Sequence, residues 1–115
     1  MSKVEITVKD GIKSLDVDGQ SQGRAYESNP NMAYSPYVIE MLDALKQHPT
    51  AKSALCIGLG PGLLATALIE SGLTVDAVDT HPEMFFIAQT EFDYKGSCSI
   101  SDGLRYLKNT KEKFI

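Results

Sequence analysis

A chain of 115 residues, 43% hydrophobic and 23% charged, fits one domain and excludes a disordered or disulfide-framed protein. With a net charge of −4 and no cluster of Lys and Arg interleaved with aromatics, it offers no polyanion surface, so no nucleic-acid partner is expected. There is no apolar leader and no window of about 18 apolar residues, so no membrane partner is expected and the setting reads as cytoplasmic.

Val4, Ile6 and Val8 alternate with polar residues, Asp10-Gly11 supplies a turn, and Leu15 and Val17 alternate again. This predicts an N-terminal β-hairpin within residues 1–22. From Gly19 to Asn31 the chain is polar and rich in Gly, Ser and Asn, which reads as a long loop. Ser35 stands as the cap of a helix with Pro36 at its first position, and Val38, Met41, Leu42 and Leu45 share one face before Pro49 ends it. Ser53 to Ile57 is apolar without alternation, the pattern of a parallel strand covered on both faces. Leu63, Leu64, Ala67 and Leu68 form a helical stripe that stops near Gly72, and Thr74 to Asp79 is the next strand. Thr80 and Glu83 have capping-box spacing around Pro82, opening a helix that reaches about Phe92. Ser97 to Ile100 reads as a strand, Leu104 to Leu107 as the start of a helix, and Lys113-Phe114-Ile115 as the start of a fourth core strand. The alternation predicts an α/β fold, a Rossmann-like three-layer sandwich with a partial parallel sheet, residues 23–115 forming the N-terminal half of such a domain.

Where a buried strand turns sharply into a helix, glycines let a ligand approach the backbone and the helix N-terminus offers free N–H groups. Gly58, Gly60 and Gly62 occupy those positions, and Asp79 ends the next strand about 20 residues on, where an acid accepts hydrogen bonds from ribose hydroxyls. Glycines also serve tight turns, so it is the strand, loop, helix, strand and acid together that point to a nucleoside. The dinucleotide pattern needs glycine at the position of Leu63, so pyrophosphate is disfavoured, and no GxxxxGK[ST] loop is present. A nucleoside with a short amino-acid-like arm suits the loop.

These segments resemble the polyamine synthase family, the spermidine synthase-like transferases built on the class I methyltransferase fold. Leu15-Asp16-Val17-Asp18-Gly19-Gln20-Ser21-Gln22 resembles its L-x-L-D-G-x-x-Q segment, and Ala54 to Gly62 its strand and glycine motif. Val78 to Pro82 resembles its E-I-D-P segment, and Ser101 to Leu107 its D-G-x-x-F-L segment. The resemblance implies aminopropyl transfer from decarboxylated S-adenosylmethionine to an amine, releasing methylthioadenosine. It also implies that Gln22 meets the 5′-thio end of the nucleoside, Asp79 the ribose, and Asp102 with Gly103 the adenine amino edge. Two of these have structural alternatives: Gln22 as a solvated loop residue, Asp102 as the cap of the following helix.

The sequence departs from the family at Pro61, where an acid is usual, at Tyr34-Ser35-Pro36, where a Tyr-His-Glu cluster is usual, and at His81, where an aspartate is usual. These departures put a diamine acceptor in doubt. The family's catalytic aspartate follows the fourth core strand, so no catalytic residue is assigned and the chain reads as a truncated, inactive transferase. Two other readings stand beside this one: a small-molecule S-adenosylmethionine-dependent methyltransferase, and a non-catalytic module that dimerises through an unfinished sheet. Self-association, as a homo-dimer or higher oligomer, is expected from the uncovered strand at Ser53 to Ile57. Cys56 and Cys98 have neither CxxC nor zinc-ligand spacing, so buried reduced thiols and no metal are expected.

Overall fold

The computed structural model describes residues 3–103, 105 and 106, so the expectations for Leu104, Leu107 and the 113–115 segment lie outside the described residues. Four antiparallel strands come first: β1 (Val4–Lys9), β2 (Ile12–Val17), β3 (Gln20–Tyr26) and β4 (Asn29–Ala33), in the order β1-β2-β3-β4. The predicted hairpin is its first half. The loop expected from Gly19 to Asn31 is instead β3 and β4, so the antiparallel sheet continues past residue 22.

The reason lies in a repeated turn. Asp10 and Gly11 take φ of 53° and 78°, and Asp18 and Gly19 take 51° and 80°, so both Asp-Gly pairs make two-residue turns with positive φ at both positions. This turn matches the twist of the strands it joins. Polar Gln20, Ser21 and Gln22 hide the strand because they are exposed. Pro30 is tolerated because β4 is an edge strand with irregular pairing to β3.

The remaining elements alternate: α1 (Pro36–Leu45), β5 (Ser53–Ile57), α2 (Leu63–Glu70), β6 (Thr74–Asp79), α3 (Pro82–Glu91) and β7 (Ser99–Ile100). Strands β5, β6 and β7 form a parallel sheet in that order, with Ala54 opposite Val75, Cys56 opposite Ala77 and Val78 opposite Ser99. The α/β class with a Rossmann-like partial parallel sheet is therefore the observed one. β5 and β6 have the predicted bounds, whereas β7 is shorter than predicted.

Two clusters of buried side chains hold the layers together. On one side of the helices, Leu64, Ala65, Leu68, Phe85 and Ala88 pack with Ala54, Cys56, Val75 and Ala77 of the parallel sheet. On the other, Val38, Leu63, Met84 and Phe92 pack with Leu15 and Ala25 of the antiparallel sheet. The helices thus lie between two sheets, which explains why α3 turns Phe85 and Ala88 to one cluster and Met84 and Ile87 to the other. Lys13 of β2 reinforces the junction: its Nζ donates to the Glu91 carbonyl at 2.6 Å, lies 3.3 Å from the Glu91 carboxylate and sits 5.3 Å from the Phe92 ring centre. A cation there also complements the C-terminal end of α3.

Cys56 and Cys98 are free thiols, as expected, but half-buried rather than buried. Cys56 pairs in register with Ala77, and one residue before the Val78–Ser99 pair puts Cys98 on the far side of that alanine. The two thiols are therefore separated by a whole strand, too far for a disulfide.

Candidate functional site

The glycine loop connects β5 to α2 at the C-terminal edge of the parallel sheet, the edge where open α/β sheets bind ligands. Gly58, Gly60 and Gly62 have φ of 87°, 54° and 79°. Side-chain-bearing residues reach that region only at a cost, so the alternate-residue spacing records backbone geometry. A Cβ at Gly58 would meet nothing within 4 Å, leaving that position open, whereas one at Gly62 would strike the buried Tyr94 ring at 2.9 Å. Gly62 is the left-handed cap residue of α2, and its role is packing.

Asp79 closes the loop from the next strand. Its Oδ2 accepts from the Leu59 N–H at 2.9 Å, and its Oδ1 accepts from the His81 N–H at 3.0 Å. One carboxylate therefore ties the glycine loop to the start of α3. Each oxygen keeps a second lone pair, so these bonds leave acceptor capacity for ligand hydroxyls. His81 is the N-cap residue of α3 without a side-chain cap, so the expected Thr80–Glu83 capping box does not form. Ser35 likewise precedes α1 without capping it, because its Oγ accepts the Arg24 N–H at 2.9 Å and binds the helix start to β3.

A cavity of about 560 Å³ opens above the loop, of a size usual for small-ligand sites. Gln22, Gly58, Gly60 and Asp79 line it together, so residues from three separate predicted motifs converge. Tyr37, His81, Val17 and Met84 also line it, and the sequence reading gave Tyr37, Val17 and Met84 no ligand role. Burial pushes the Tyr37 phenol above its ordinary pKa, with the Cys56 thiol beside it adding to the rise. Burial also raises the Cys98 thiol, and the Asp79 charge raises it further. No group of three His, Cys, Asp or Glu side chains among the described residues is placed to share a metal ion.

Gly62, Asp102 and Gly103 do not line this cavity among the described residues. Asp102 Oδ1 accepts the Arg105 N–H at 3.1 Å, and the Asp102 carbonyl accepts the Tyr106 N–H at 2.9 Å, so it caps the turn that follows β7. Gly103 lies against Ile57, where a Cβ would come within 2.5 Å of Cγ2. Ile57 does line the cavity, so the Asp102 turn forms its outer support.

No family model and no curated protein matches the chain. Solved structures do. The spermidine synthase from Thermotoga maritima superposes with a TM-score of 0.70 at 21% identity, covering 99% of this chain and 41% of that one. A probable spermidine synthase from Corynebacterium glutamicum ATCC 13032 gives 0.64 at 15% identity, covering 88% of this chain and 41% of that one. The fold is that of the spermidine synthases. The chain spans about two fifths of the length of either spermidine synthase. The described residues hold the four-stranded antiparallel sheet and a three-stranded parallel sheet with the glycine loop at its edge. No helix among the described residues is long and apolar enough to cross a membrane.

Proposed function

We propose that this chain binds an S-adenosylmethionine-type nucleoside, decarboxylated S-adenosylmethionine or methylthioadenosine, as the nucleoside half of a spermidine synthase-like transferase. The observation that carries this is the convergence on one cavity of Gly58, Gly60, Asp79 and Gln22. In such a site the ribose hydroxyls donate to the Asp79 carboxylate and the 5′ substituent lies over the glycine loop, the arrangement that strand–glycine loop–helix units favour. The apolar walls from Val17, Leu59, Leu64 and Met84 suit a thioether or a propyl arm. Asp102 and Gly103 reach the adenine edge in this reading only through the turn that supports Ile57. The second substrate is an amine, by the resemblance to aminopropyl transferases.

Calorimetric titration of the chain with methylthioadenosine and with S-adenosylmethionine tests the reading. Saturable binding of either supports it, and a folded chain that binds neither overturns it.

A second reading, self-association, has its own observation. Among the described residues, three of the four sheet edges carry features that block pairing: β1 alternates charged Glu5 and Lys9 with apolar residues, β4 carries Pro30, and β7 has only two residues. The edge of β5 that pairs with no strand among the described residues, with the sequence Ser-Ala-Leu-Cys-Ile, carries neither charge nor proline. Two copies paired antiparallel about Leu55 would set Ala54 against Cys56 and keep the helices of both on one side. Light scattering checks this: a concentration-dependent dimer supports it, and a monomer at every concentration removes it.

A further inference from the structure

The chain contains three Asp-Gly pairs, Asp10-Gly11, Asp18-Gly19 and Asp102-Gly103. In such a pair no side chain shields the glycine nitrogen, which can attack the carboxyl group of the aspartate before it. Whether it does so depends on how the carboxyl group is held.

The structure holds the three differently. Asp18 Oδ1 accepts the Lys3 N–H at 2.8 Å, and the Asp18 N–H donates to the Lys3 carbonyl at 2.8 Å, so the second turn is clamped to the residue ahead of β1. Asp102 Oδ1 accepts the Arg105 N–H at 3.1 Å, and Ile57 crowds Gly103. The Asp10 side chain has no hydrogen-bond or ion-pair partner among the described residues.

Asp10 and Asp18 otherwise share one geometry. Both are exposed, both turns have positive φ at their two positions, and a Cβ at Gly11 or Gly19 would meet nothing within 4 Å. The Gly11 carbonyl accepts the Glu27 N–H at 2.9 Å, while the Gly11 N–H donates to no described residue, which leaves the nitrogen unengaged. This turn also joins β2 to β1, an edge strand, so opening it disturbs a single neighbour.

We propose that Asp10 is the site at which this chain forms isoaspartate, a modification that Asp18 and Asp102 resist because backbone N–H groups hold their carboxylates. The Gly11 nitrogen bonds to Cγ of the protonated Asp10 carboxyl group, and the carboxyl OH leaves with the amide hydrogen as water, closing a five-membered succinimide. Water then adds to the Asp10 α-carbonyl carbon and breaks its bond to the Gly11 nitrogen. The chain now runs through Cγ and the α-carboxylate is free. One methylene has entered the backbone of a two-residue turn, so the Lys9–Ile12 pair no longer closes in its present register and the tip of β1 is released. The site lies outside the nucleoside cavity and is independent of that reading.

The test incubates the folded chain at physiological temperature and pH and measures isoaspartate at each pair by peptide mapping with mass spectrometry, checked by labelling with an isoaspartyl carboxyl methyltransferase. Asp10 is expected to react about tenfold faster than Asp18 or Asp102, the factor that follows when one hydrogen bond to a charged group must break first. In urea the three rates should converge. Lys3→Pro removes the N–H that holds Asp18 and should bring Asp18 within about threefold of Asp10 in the folded chain. Asp10→Glu, whose longer arm would need a six-membered ring, should erase the signal at that pair. Equal rates at the three pairs of the folded chain overturn the proposal, as does a lead at Asp18 or Asp102, or silence at Asp10. An Asp18 rate unchanged by Lys3→Pro overturns the protection assigned to its hydrogen bond.

Discussion

Asp79 and Asp102 lie at the ends of neighbouring parallel strands, one the last residue of β6 and the other two residues beyond β7. Asp79 reaches sideways, and its two oxygens join a loop and a helix that are 20 and 2 residues away. Asp102 reaches forward and satisfies N–H groups three and four residues along its own turn. The contrast shows how a site is separated from its support. A carboxylate that bridges elements fixes the geometry of a cavity, while one that serves its own turn fixes only that turn.

The largest expected effect lies on the glycine-loop side. Gly62→Ala adds a methyl group where the φ of 79° disfavours it and the Tyr94 ring stands 2.9 Å away. Urea denaturation should show a loss of about 3 kcal/mol, with nucleoside affinity retained in the folded fraction. A change below about 0.5 kcal/mol would mean that the loop adjusts freely and that its glycines do not hold its shape.

Asp79→Ala comes next. It removes the acceptor of two backbone N–H groups from a half-buried position, and the same denaturation assay should record a loss of about 2 kcal/mol. Unlike Gly62→Ala, it should also reduce nucleoside affinity by at least about tenfold, because the ribose loses its acceptor and the loop its anchor. Retained affinity would reduce Asp79 to a structural tie.

Asp102→Ala should cost about 1 kcal/mol, the usual worth of a helix-start cap, and leave methylthioadenosine affinity within about twofold. A tenfold loss would sharpen the comparison in the other direction, placing Asp102 on the adenine as the family resemblance implies.

The smallest effect is a pH response behind the loop. Burial pushes the Tyr94 phenol up to about 12, with the Cys98 and Cys56 thiols adding, and its hydroxyl donates to the Ser97 carbonyl at 2.7 Å. The folded state therefore holds this proton more tightly than the unfolded chain, whose tyrosines titrate near 10. The resulting stability is complete below pH of about 10 and is lost as pH rises towards 12. Absorbance titration of the phenolate band should show, beside the raised Tyr37, a component near 12 that disappears in Tyr94→Phe. Its absence from the parent titration would mean that the ring backing Gly62 is open to water.

The parallel half was the more legible in the sequence. Ser53–Ile57 and Thr74–Asp79 could be read to the residue because apolar runs bounded by Lys52, the glycines and Gly72 have little other use. The glycine loop and Asp79 followed from spacing alone. The antiparallel half was half legible: Asp18-Gly19 repeats the signal of Asp10-Gly11, but Gln20, Ser21 and Gln22 do not alternate. Their strand is set by pairing with β2 and by the contact of Gly23 with Pro61, neither of which leaves a local pattern. Tyr37 escaped for a similar reason: its place in the cavity depends on where α1 docks, a tertiary fact. Pro61 stood out only as a departure from the family motif, and its partner Gly23 becomes visible only once the two sheets are placed.

Amide chemical-shift mapping tests the central claim most directly. On addition of methylthioadenosine, the account predicts saturable shifts in Gly58, Leu59, Gly60 and His81, whose N–H groups lie in the glycine loop or are tied to Asp79, together with the Gln22 amide. Residues at the far end of the parallel sheet, such as Leu73 and Thr74, should remain still. Shifts confined to that far end, or none at all from a folded chain, would contradict it.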